Sequence, residues 1–114
     1  MPEINQYGQV VNDVVADWQG ARILKRTPLS GRFCRLEPLE VQRHAADLFA
    51  AYALGDESDW TWLASTCPAS VEATTHWVAG KVNDDALVPF AVIDLRTERA
   101  VGLVSYMAIA RAMG

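Results

Sequence analysis

The stretch PFAVIDLRTERAVGLVSYMAI, residues 89–109, decides the fold of this chain. It contains two apolar segments, Pro89–Arg96 and Ala100–Ile109, and the connection around Thr97 and Glu98 is short enough for a β-hairpin. Alternate side chains of the second segment point to opposite faces, and both sets are mostly apolar: Val101, Leu103, Ser105, Met107 and Ile109 on one face, Gly102, Val104, Tyr106 and Ala108 on the other. The sequence therefore predicts a strand in the middle of a sheet, covered on both faces.

A third strand is predicted in RFCRLEPL, residues 32–39, where the side chains also alternate. Cys34 and Leu36 fall on one side of this strand, and Phe33, Arg35 and Glu37 fall on the other. Pro38 ends it, because proline cannot donate a ladder hydrogen bond.

Two helices are predicted between this strand and the hairpin. In residues 40–55 one stripe at helical spacing is formed by Val41, Ala45, Leu48 and Tyr52, and Gly55 stands where a C′ residue belongs. Ser70 is a suitable N-cap for a second helix over residues 71–84, with Glu72 placed favourably in its first turn. The residues expected to face inward from this helix are Val71, Thr74 and Val78.

The resulting fold class is α+β, with the order strand, helix, helix, strand, strand and a mainly antiparallel sheet. Residues 1–31 are rich in Gly, Pro, Asn and Gln and carry only isolated apolar anchors, which predicts an extended N-terminal arm laid over the core. Residues 32–114 then form the domain itself.

Composition narrows the class of protein. Hydrophobic residues make up 51% of the chain and charged residues 21%, which is the balance of a globular protein. The net charge is −4 and the ten Lys and Arg residues are scattered, so no basic surface for nucleic acid is expected. The apolar runs are far shorter than the roughly 20 residues of a membrane span, and the N-terminus lacks the pattern of a signal peptide. We therefore expect a cytoplasmic protein without membrane or nucleic-acid partners.

The usual catalytic and metal motifs do not occur in the sequence. No serine lies in a G-x-S-x-G frame, and Cys34 and Cys67 are too far apart for a C-x-x-C site. His44 and His76 lie on the two predicted helices without an H-E-x-x-H motif, so a structural contact is expected for each and a metal site for neither. No catalytic residue can be named from these patterns.

Several segments resemble one known family. GRFCRLEPL running into RHAADLFAAYA, then DWTWL and FAVIDLRTERAVGLVSYM, resemble the first half of the GNAT-fold N-acetyltransferases. The segment NQYGQ, residues 5–9, is similar to an N-terminal arm in the branch that contains the ribosomal-protein alanine acetyltransferases. The resemblance covers essentially the whole chain and implies a partial GNAT-like fold.

The resemblance also implies a reaction, acetyl transfer from acetyl-CoA to an amine. Members of the family hold the cofactor pyrophosphate with a Q/R-x-x-G-x-G/A turn at a helix N-terminus, where backbone N–H groups bind the phosphates. This chain contains no such turn. RAMG, residues 111–114, spells R-x-x-G but directly follows the third strand of the fold, where the family has a turn into a fourth strand. We therefore assign no cofactor-binding residue and expect weak binding of acetyl-CoA.

In the family, the loop after the first helix lines the pocket for the amine acceptor. By resemblance, the candidates for the acceptor wall in this chain are Trp60, Trp62, Leu63, Phe90 and Tyr106. The alternative is that these five side chains simply belong to the core, as large aromatic residues usually do.

Two functions from different classes remain open. One is an acetyl-CoA-dependent N-acetyltransferase, present here as an incomplete domain; the other is a catalytically silent fragment or interaction module that retains half of the fold. The strand Ala100–Ile109 contains no Pro, Lys, Asp or Glu to protect an open edge. We therefore expect a homodimer formed through this strand.

Overall fold

A four-stranded antiparallel sheet with two helices on one face forms the body of the protein. A computed structural model describes residues 2–114. Strands β1 (Glu3–Ile4) and β2 (Val10–Val11) form a separate small hairpin near the N-terminus. Strands β3 (Leu29–Ser30), β4 (Cys34–Pro38), β5 (Val88–Asp94) and β6 (Arg99–Tyr106) form the main sheet in the order β3-β4-β5-β6. Helices α1 (Val41–Ala53) and α2 (Val71–Val82) lie between β4 and β5 in the chain, with the short 3₁₀ helix Glu57–Trp60 between them.

The α+β fold class and the mainly antiparallel sheet predicted from the sequence are confirmed. Ser70 caps α2 as predicted, since its hydroxyl oxygen accepts a hydrogen bond from the backbone N–H of Ala73 at 3.0 Å. The core lies between the two helices and the sheet face that carries Ala91, Ile93 and Ala100; its helical members are Ala45, Leu48 and Val78, with Val41 and Tyr52 packed beside them.

The observed burial differs from the prediction at two positions, one in α2 and one in β6. Thr74 and Val78 of α2 are fully buried, but Val71 is 41% exposed because it stands in the first turn, beyond the end of the packed stripe. In β6 the predicted alternation is interrupted by a β-bulge, since Val92 pairs with Gly102 while Ile93 pairs with Ala100. The bulge leaves Val101 half exposed, while Leu103, expected on the same face, packs against the core.

The last strand is shorter than predicted. It ends at Tyr106 rather than Ile109, because the backbone turns after Met107 and Ala108 adopts a positive φ of 54°. A left-handed residue cannot continue a strand. The following residues form a turn at the C-terminal end, in which the N–H groups of Met113 and Gly114 both donate to the carbonyl oxygen of Ala110.

The N-terminal arm does not lie over the core as the sequence suggested. The apolar side chains of Ile4, Tyr7, Val10 and Val14 are each at least 68% exposed. The Asn5 side chain holds a local turn by accepting hydrogen bonds from the N–H groups of Tyr7 and Gln9. This part of the arm therefore satisfies its own backbone groups.

The arm instead contacts the segment that follows β6. The indole N–H of Trp18 donates to the carbonyl oxygen of Ala112 at 2.6 Å, and the N–H of Ala21 donates to that of Arg111 at 2.6 Å. Gly20 permits this approach, since its φ is +91° and a Cβ there would lie 2.9 Å from the Arg111 oxygen.

Candidate functional site

A cavity of about 550 Å³ opens where the C-terminal ends of α1 and α2 meet the end of β6. Its size lies within the range of small-molecule sites, and its walls are mostly apolar with a few polar groups, as such sites require. The lining residues are Ala51, Tyr52, Gly55, Asp59, Trp60, Leu63, Ala64, Ser65, Trp77, Lys81, Leu103 and Met107.

Three aromatic rings form one wall of this cavity. Tyr52, Trp60 and Trp77 pack edge to face, with ring centroids 5.2 Å apart for Tyr52 and Trp60, 6.0 Å for Tyr52 and Trp77, and 5.7 Å for the two tryptophans. Each such pair contributes about 0.5–1.5 kcal/mol beyond its buried area. Because the rings come from α1, the 3₁₀ helix and α2, their contacts hold all three elements together and make the wall rigid.

The position of Trp60 follows from the local sequence before it. Asp56 and Asp59 form a capping box: the Asp56 carboxylate accepts from the N–H of Ser58, and Asp59 Oδ2 accepts from the N–H of Asp56 at 3.1 Å. A Cβ on Gly55 would lie 2.7 Å from that same Asp59 oxygen. A larger residue at position 55 would therefore displace the Asp59 side chain from this hydrogen bond.

Polar groups at the cavity carry both signs of charge. The Lys81 ammonium lies over the Trp77 ring, 4.9 Å from its centroid, and the Asp59 carboxylate lines the same space. Burial, and secondarily the Cys67 thiol, raise the pKa of the Tyr52 hydroxyl above its ordinary value, so this hydroxyl keeps its proton at neutral pH.

The five residues proposed for the acceptor wall do not lie together. Trp60 and Leu63 line the cavity, whereas Trp62 is 94% exposed and does not. Phe90 and Tyr106 contact each other at 6.3 Å between centroids on the sheet face away from the helices, where they line a smaller cavity of about 230 Å³ with Leu29, Leu36, Val104 and Ser105.

Sequence reasoning did not assign Trp77 or Lys81 to a site, and it treated Tyr52 only as a core residue. The available signal was the spacing of Trp77 and Lys81, which stand four residues apart and therefore share one face of α2. The contact of Trp77 with Trp60 of the 3₁₀ helix follows from tertiary packing.

A second polar cluster lies at the junction of β4 and α1, around the buried Glu37. Glu37 Oε2 is 2.9 Å from His44 Nε2 and 3.1 Å from the Arg43 guanidinium, while Oε1 is 3.0 Å from Arg35. His44 Nδ1 accepts a hydrogen bond from the backbone N–H of Glu40 at 2.9 Å. The His44 proton therefore resides on Nε2 and is donated to the Glu37 carboxylate.

The electrostatics of this cluster favour an ionised Glu37. The hydrogen bond from His44 lowers the pKa of Glu37, with further lowering by Arg35 and Arg43, and together these outweigh the opposing effect of burial. None of these groups lines the cavity whose wall is formed by Tyr52, Trp60 and Trp77, the aromatic cavity. The structural contact expected for His44 is therefore the one observed.

Residues 2–114 hold no group of three or more His, Cys, Asp or Glu side chains arranged to bind a metal ion. They also include no helix with both the length and the apolar character needed to cross a membrane.

The segment Arg111–Gly114 does not fit a pyrophosphate. The N–H groups of Met113 and Gly114 are both taken by the Ala110 carbonyl oxygen, and the ring of Trp18 packs against Gly114. Residues 111–113 form a turn. The described residues therefore provide no cradle of free N–H groups at this position.

Solved structures resemble this fold. The chain is similar to a GCN5-related N-acetyltransferase from Brucella melitensis, with 34% sequence identity over 85% of this chain and a TM-score of 0.76. It is also similar to a probable acetyltransferase of the GNAT family from Chromobacterium violaceum, with 25% identity over 97% of this chain and a TM-score of 0.75. The chain spans 44% and 54% of the lengths of these two proteins.

No protein-family model matches the chain, and comparison with the curated proteins finds no significant match. The similarity covers 85% and 97% of this chain in the two solved structures. It shows that the α+β arrangement of this chain is that of the GNAT fold.

Proposed function

We propose that this chain belongs to the GNAT N-acetyltransferases and forms the acceptor-binding half of a domain that transfers an acetyl group to an amine. The observation that carries the proposal is the 34% identity to a GCN5-related N-acetyltransferase, combined with a TM-score of 0.76. Within that family, the segment NQYGQ supports the branch of the ribosomal-protein alanine acetyltransferases, and we propose a cytoplasmic location.

In this proposal the aromatic cavity receives the amine. Its apolar walls exclude water from the bound acceptor, and the rigid contacts of Tyr52, Trp60 and Trp77 hold the acceptor in one orientation. Acetyl-CoA is the acetyl donor generally used in this family. Because the Arg111–Gly114 turn does not fit its pyrophosphate, we propose that protein outside residues 2–114 binds the cofactor, and we assign no base among the described residues.

The proposal predicts two results with acetyl-CoA. Isothermal titration calorimetry of the 114-residue chain should show a dissociation constant weaker than about 100 μM, because the Arg111–Gly114 turn offers no cradle of free N–H groups for the phosphates. A longer chain, extended through a Q/R-x-x-G-x-G/A turn encoded about 15 to 25 residues after Gly114, should bind acetyl-CoA and acetylate a primary amine.

The two measurements separate the parts of the proposal. A low-micromolar dissociation constant for the 114-residue chain would overturn the assignment of the cofactor site to other protein. An extended chain that binds acetyl-CoA but acetylates no amine would favour the second function, a catalytically silent module. The observation in favour of that second function is that the Arg111–Gly114 turn uses its N–H groups internally.

We also propose that the chain forms a homodimer through the free edge of β6. One edge of β6 pairs with β5, and none of the residues 2–114 forms a strand on the other. Val104 and Tyr106 are 45% and 53% exposed, and no charged side chain follows Arg99 within the strand. Two such edges can pair antiparallel across a two-fold axis, with the bulge at Val101 limiting the pairing to Gly102–Tyr106.

Sedimentation equilibrium at micromolar concentration is expected to show a dimer for the unmodified chain and a monomer for Val104→Lys combined with Tyr106→Lys. The introduced ammonium groups would repel each other and lose hydration in the interface. Trp62→Lys is the matched control, because Trp62 is exposed and does not belong to β6. A monomeric unmodified chain contradicts the proposal.

A further inference from the structure

We propose that a second cavity, where the start of β4 meets the end of β5, binds a small aromatic carboxylate, with the carboxylate on the Arg32 guanidinium and the aromatic ring on apolar walls. This arginine cavity is formed by residues 32–34, 94–96 and 101 and has a volume of about 640 Å³, within the range of small-molecule sites. None of its residues lines the aromatic cavity, so the proposal does not rest on the proposed function.

The first observation is a cation without an anionic partner. The Arg32 guanidinium lies over the Phe33 ring, 5.1 Å from its centroid, within the distance of about 6 Å at which a ring face attracts a cation. Among residues 2–114, no carboxylate lies within ion-pair distance of Arg32. A guanidinium that contacts a ring through its face still has N–H groups at its edge, where a carboxylate can accept two parallel hydrogen bonds.

The second observation is that the backbone beneath these side chains is fixed. The N–H of Gly31 donates to the carbonyl oxygen of Cys34 at 2.9 Å, which closes the turn that carries Arg32 and Phe33. The N–H of Leu95 donates to the carbonyl oxygen of Phe33 at 3.3 Å, which joins this turn to the end of β5. Since the backbone is already ordered, a ligand pays less entropy for binding there.

The third observation concerns the apolar walls. The Phe33 side chain is 75% exposed, and Val101, at the β-bulge, is 45% exposed. Leu95 lines the same space. A ligand ring placed against these side chains removes their water, and this favours binding in proportion to the apolar area covered. Acetate or inorganic phosphate has no apolar body and would leave the walls wet.

The fourth observation is the net charge of the cavity. Asp94 is the one acidic lining residue, and its two carboxylate oxygens accept hydrogen bonds from the Arg96 guanidinium at 3.4 and 3.2 Å. These bonds hold the pKa of Asp94 below its ordinary value, so the pair is ionised and neutral as a whole at neutral pH. Arg32 then remains as one uncompensated positive charge, which complements a single carboxylate and repels an amine.

The test is titration of the chain at neutral pH, followed by the ¹H–¹⁵N NMR signals of its backbone, with phenylacetate, 2-phenylethanol and acetate. The alcohol has the ring without the charge, and acetate has the charge without the ring. Phenylacetate is expected to bind at least about fivefold more tightly than either, with the largest shifts at residues 31–34 and 94–96. Equal affinities for phenylacetate and the alcohol, or shifts confined to other residues, would overturn the proposal.

Three variants assign the binding to this cavity. Arg32→Gln, at an exposed position, should lower the affinity for phenylacetate at least about fivefold. Arg99→Gln is the matched control, because Arg99 is also exposed but does not line the cavity, and it should change the affinity by less than about twofold. Asp94→Asn removes the charge that neutralises Arg96, so the affinity should rise at least about twofold. Equal losses in Arg32→Gln and Arg99→Gln, or a weaker affinity in Asp94→Asn, would contradict the assignment.

A final comparison separates a free aromatic carboxylate from the C-terminal carboxylate of a polypeptide. The cavity has the volume of a small-molecule site, so the remaining residues of a peptide would extend into water and add no contact. An acetylated tripeptide that ends in phenylalanine is therefore expected to bind no more tightly than phenylacetate. Tighter binding of the peptide would overturn the assignment to a small molecule.

Discussion

The substitution His44→Ala is expected to lower the free energy of unfolding by about 3–5 kcal/mol, while Arg43→Ala lowers it by less than about 1 kcal/mol. Both side chains contact the same oxygen, Oε2 of Glu37, at 2.9 and 3.1 Å. The His44 side chain is 3% exposed and that of Arg43 is 61% exposed. Removal of His44 takes a donor from a buried carboxylate, takes the acceptor from the N–H of Glu40, and leaves a cavity under α1.

Urea denaturation at neutral pH provides the measurement, with Arg43→Ala as the matched control. Equal effects of the two substitutions would contradict the prediction, since His44 is buried and also accepts from the Glu40 N–H, whereas Arg43 is mostly exposed. A His44→Gln variant refines the result: an amide retains hydrogen-bonding capacity and should recover part of the loss.

The same cluster predicts how stability depends on pH. The pKa of Glu37 lies below its ordinary value of 4.5, chiefly because of the hydrogen bond from His44. A carboxyl group whose pKa is lower in the folded state stabilises the fold above the unfolded pKa, and this contribution is lost as the pH falls through the folded pKa. Glu37→Gln should therefore show a smaller fall in melting temperature than the unmodified chain between about pH 5 and pH 3. An identical fall in both would mean that Glu37 does not contribute.

The second large effect is expected for Trp77→Ala, at about 3 kcal/mol of lost stability, the lower end of the range for truncating a buried tryptophan because Trp77 is partly exposed. The substitution removes two edge-to-face contacts, with Tyr52 and Trp60, and the cation contact with Lys81. Trp62→Ala should change stability by no more than about 0.5 kcal/mol, since its ring is almost fully exposed.

Thermal and urea denaturation of the two tryptophan variants test this prediction, and near-ultraviolet circular dichroism reports on the aromatic packing. A loss of the near-ultraviolet signal is expected for Trp77→Ala alone. Comparable losses of stability in the two variants would contradict the placement of Trp62 in solvent and weaken the assignment of the cavity wall to Trp77.

Much of the secondary structure was predictable because its signals are local. The stripe from Val41 to Tyr52 identifies α1, Ser70 marks the start of α2, and the short connection at Thr97 makes β5 and β6 a hairpin. Each of these signals acts through atoms within a few residues along the chain. Such signals can therefore be recognised in the sequence without knowledge of the tertiary structure.

The site was predictable only in part, because periodicity tells which side chains share a face but not which face the helices cover. Phe90 and Tyr106 do share a face, yet the helices pack on the other one, which separates them from Trp60 and Leu63. The wall of Tyr52, Trp60 and Trp77 joins rings that lie 8 and 17 residues apart in the chain, and only the packing of α1 against α2 brings them together.

The sequence by itself determined the α+β class, the order of β4, α1, α2, β5 and β6, and the presence of apolar strands, because hydrophobic spacing, capping and turn length are local properties. The tertiary structure alone decided the bulge at Val101, the early end of β6, the burial of Glu37 beneath His44 and the composition of the cavity. These features depend on contacts between elements that are distant in the chain, and the free energy of such contacts is set by packing that no local pattern encodes.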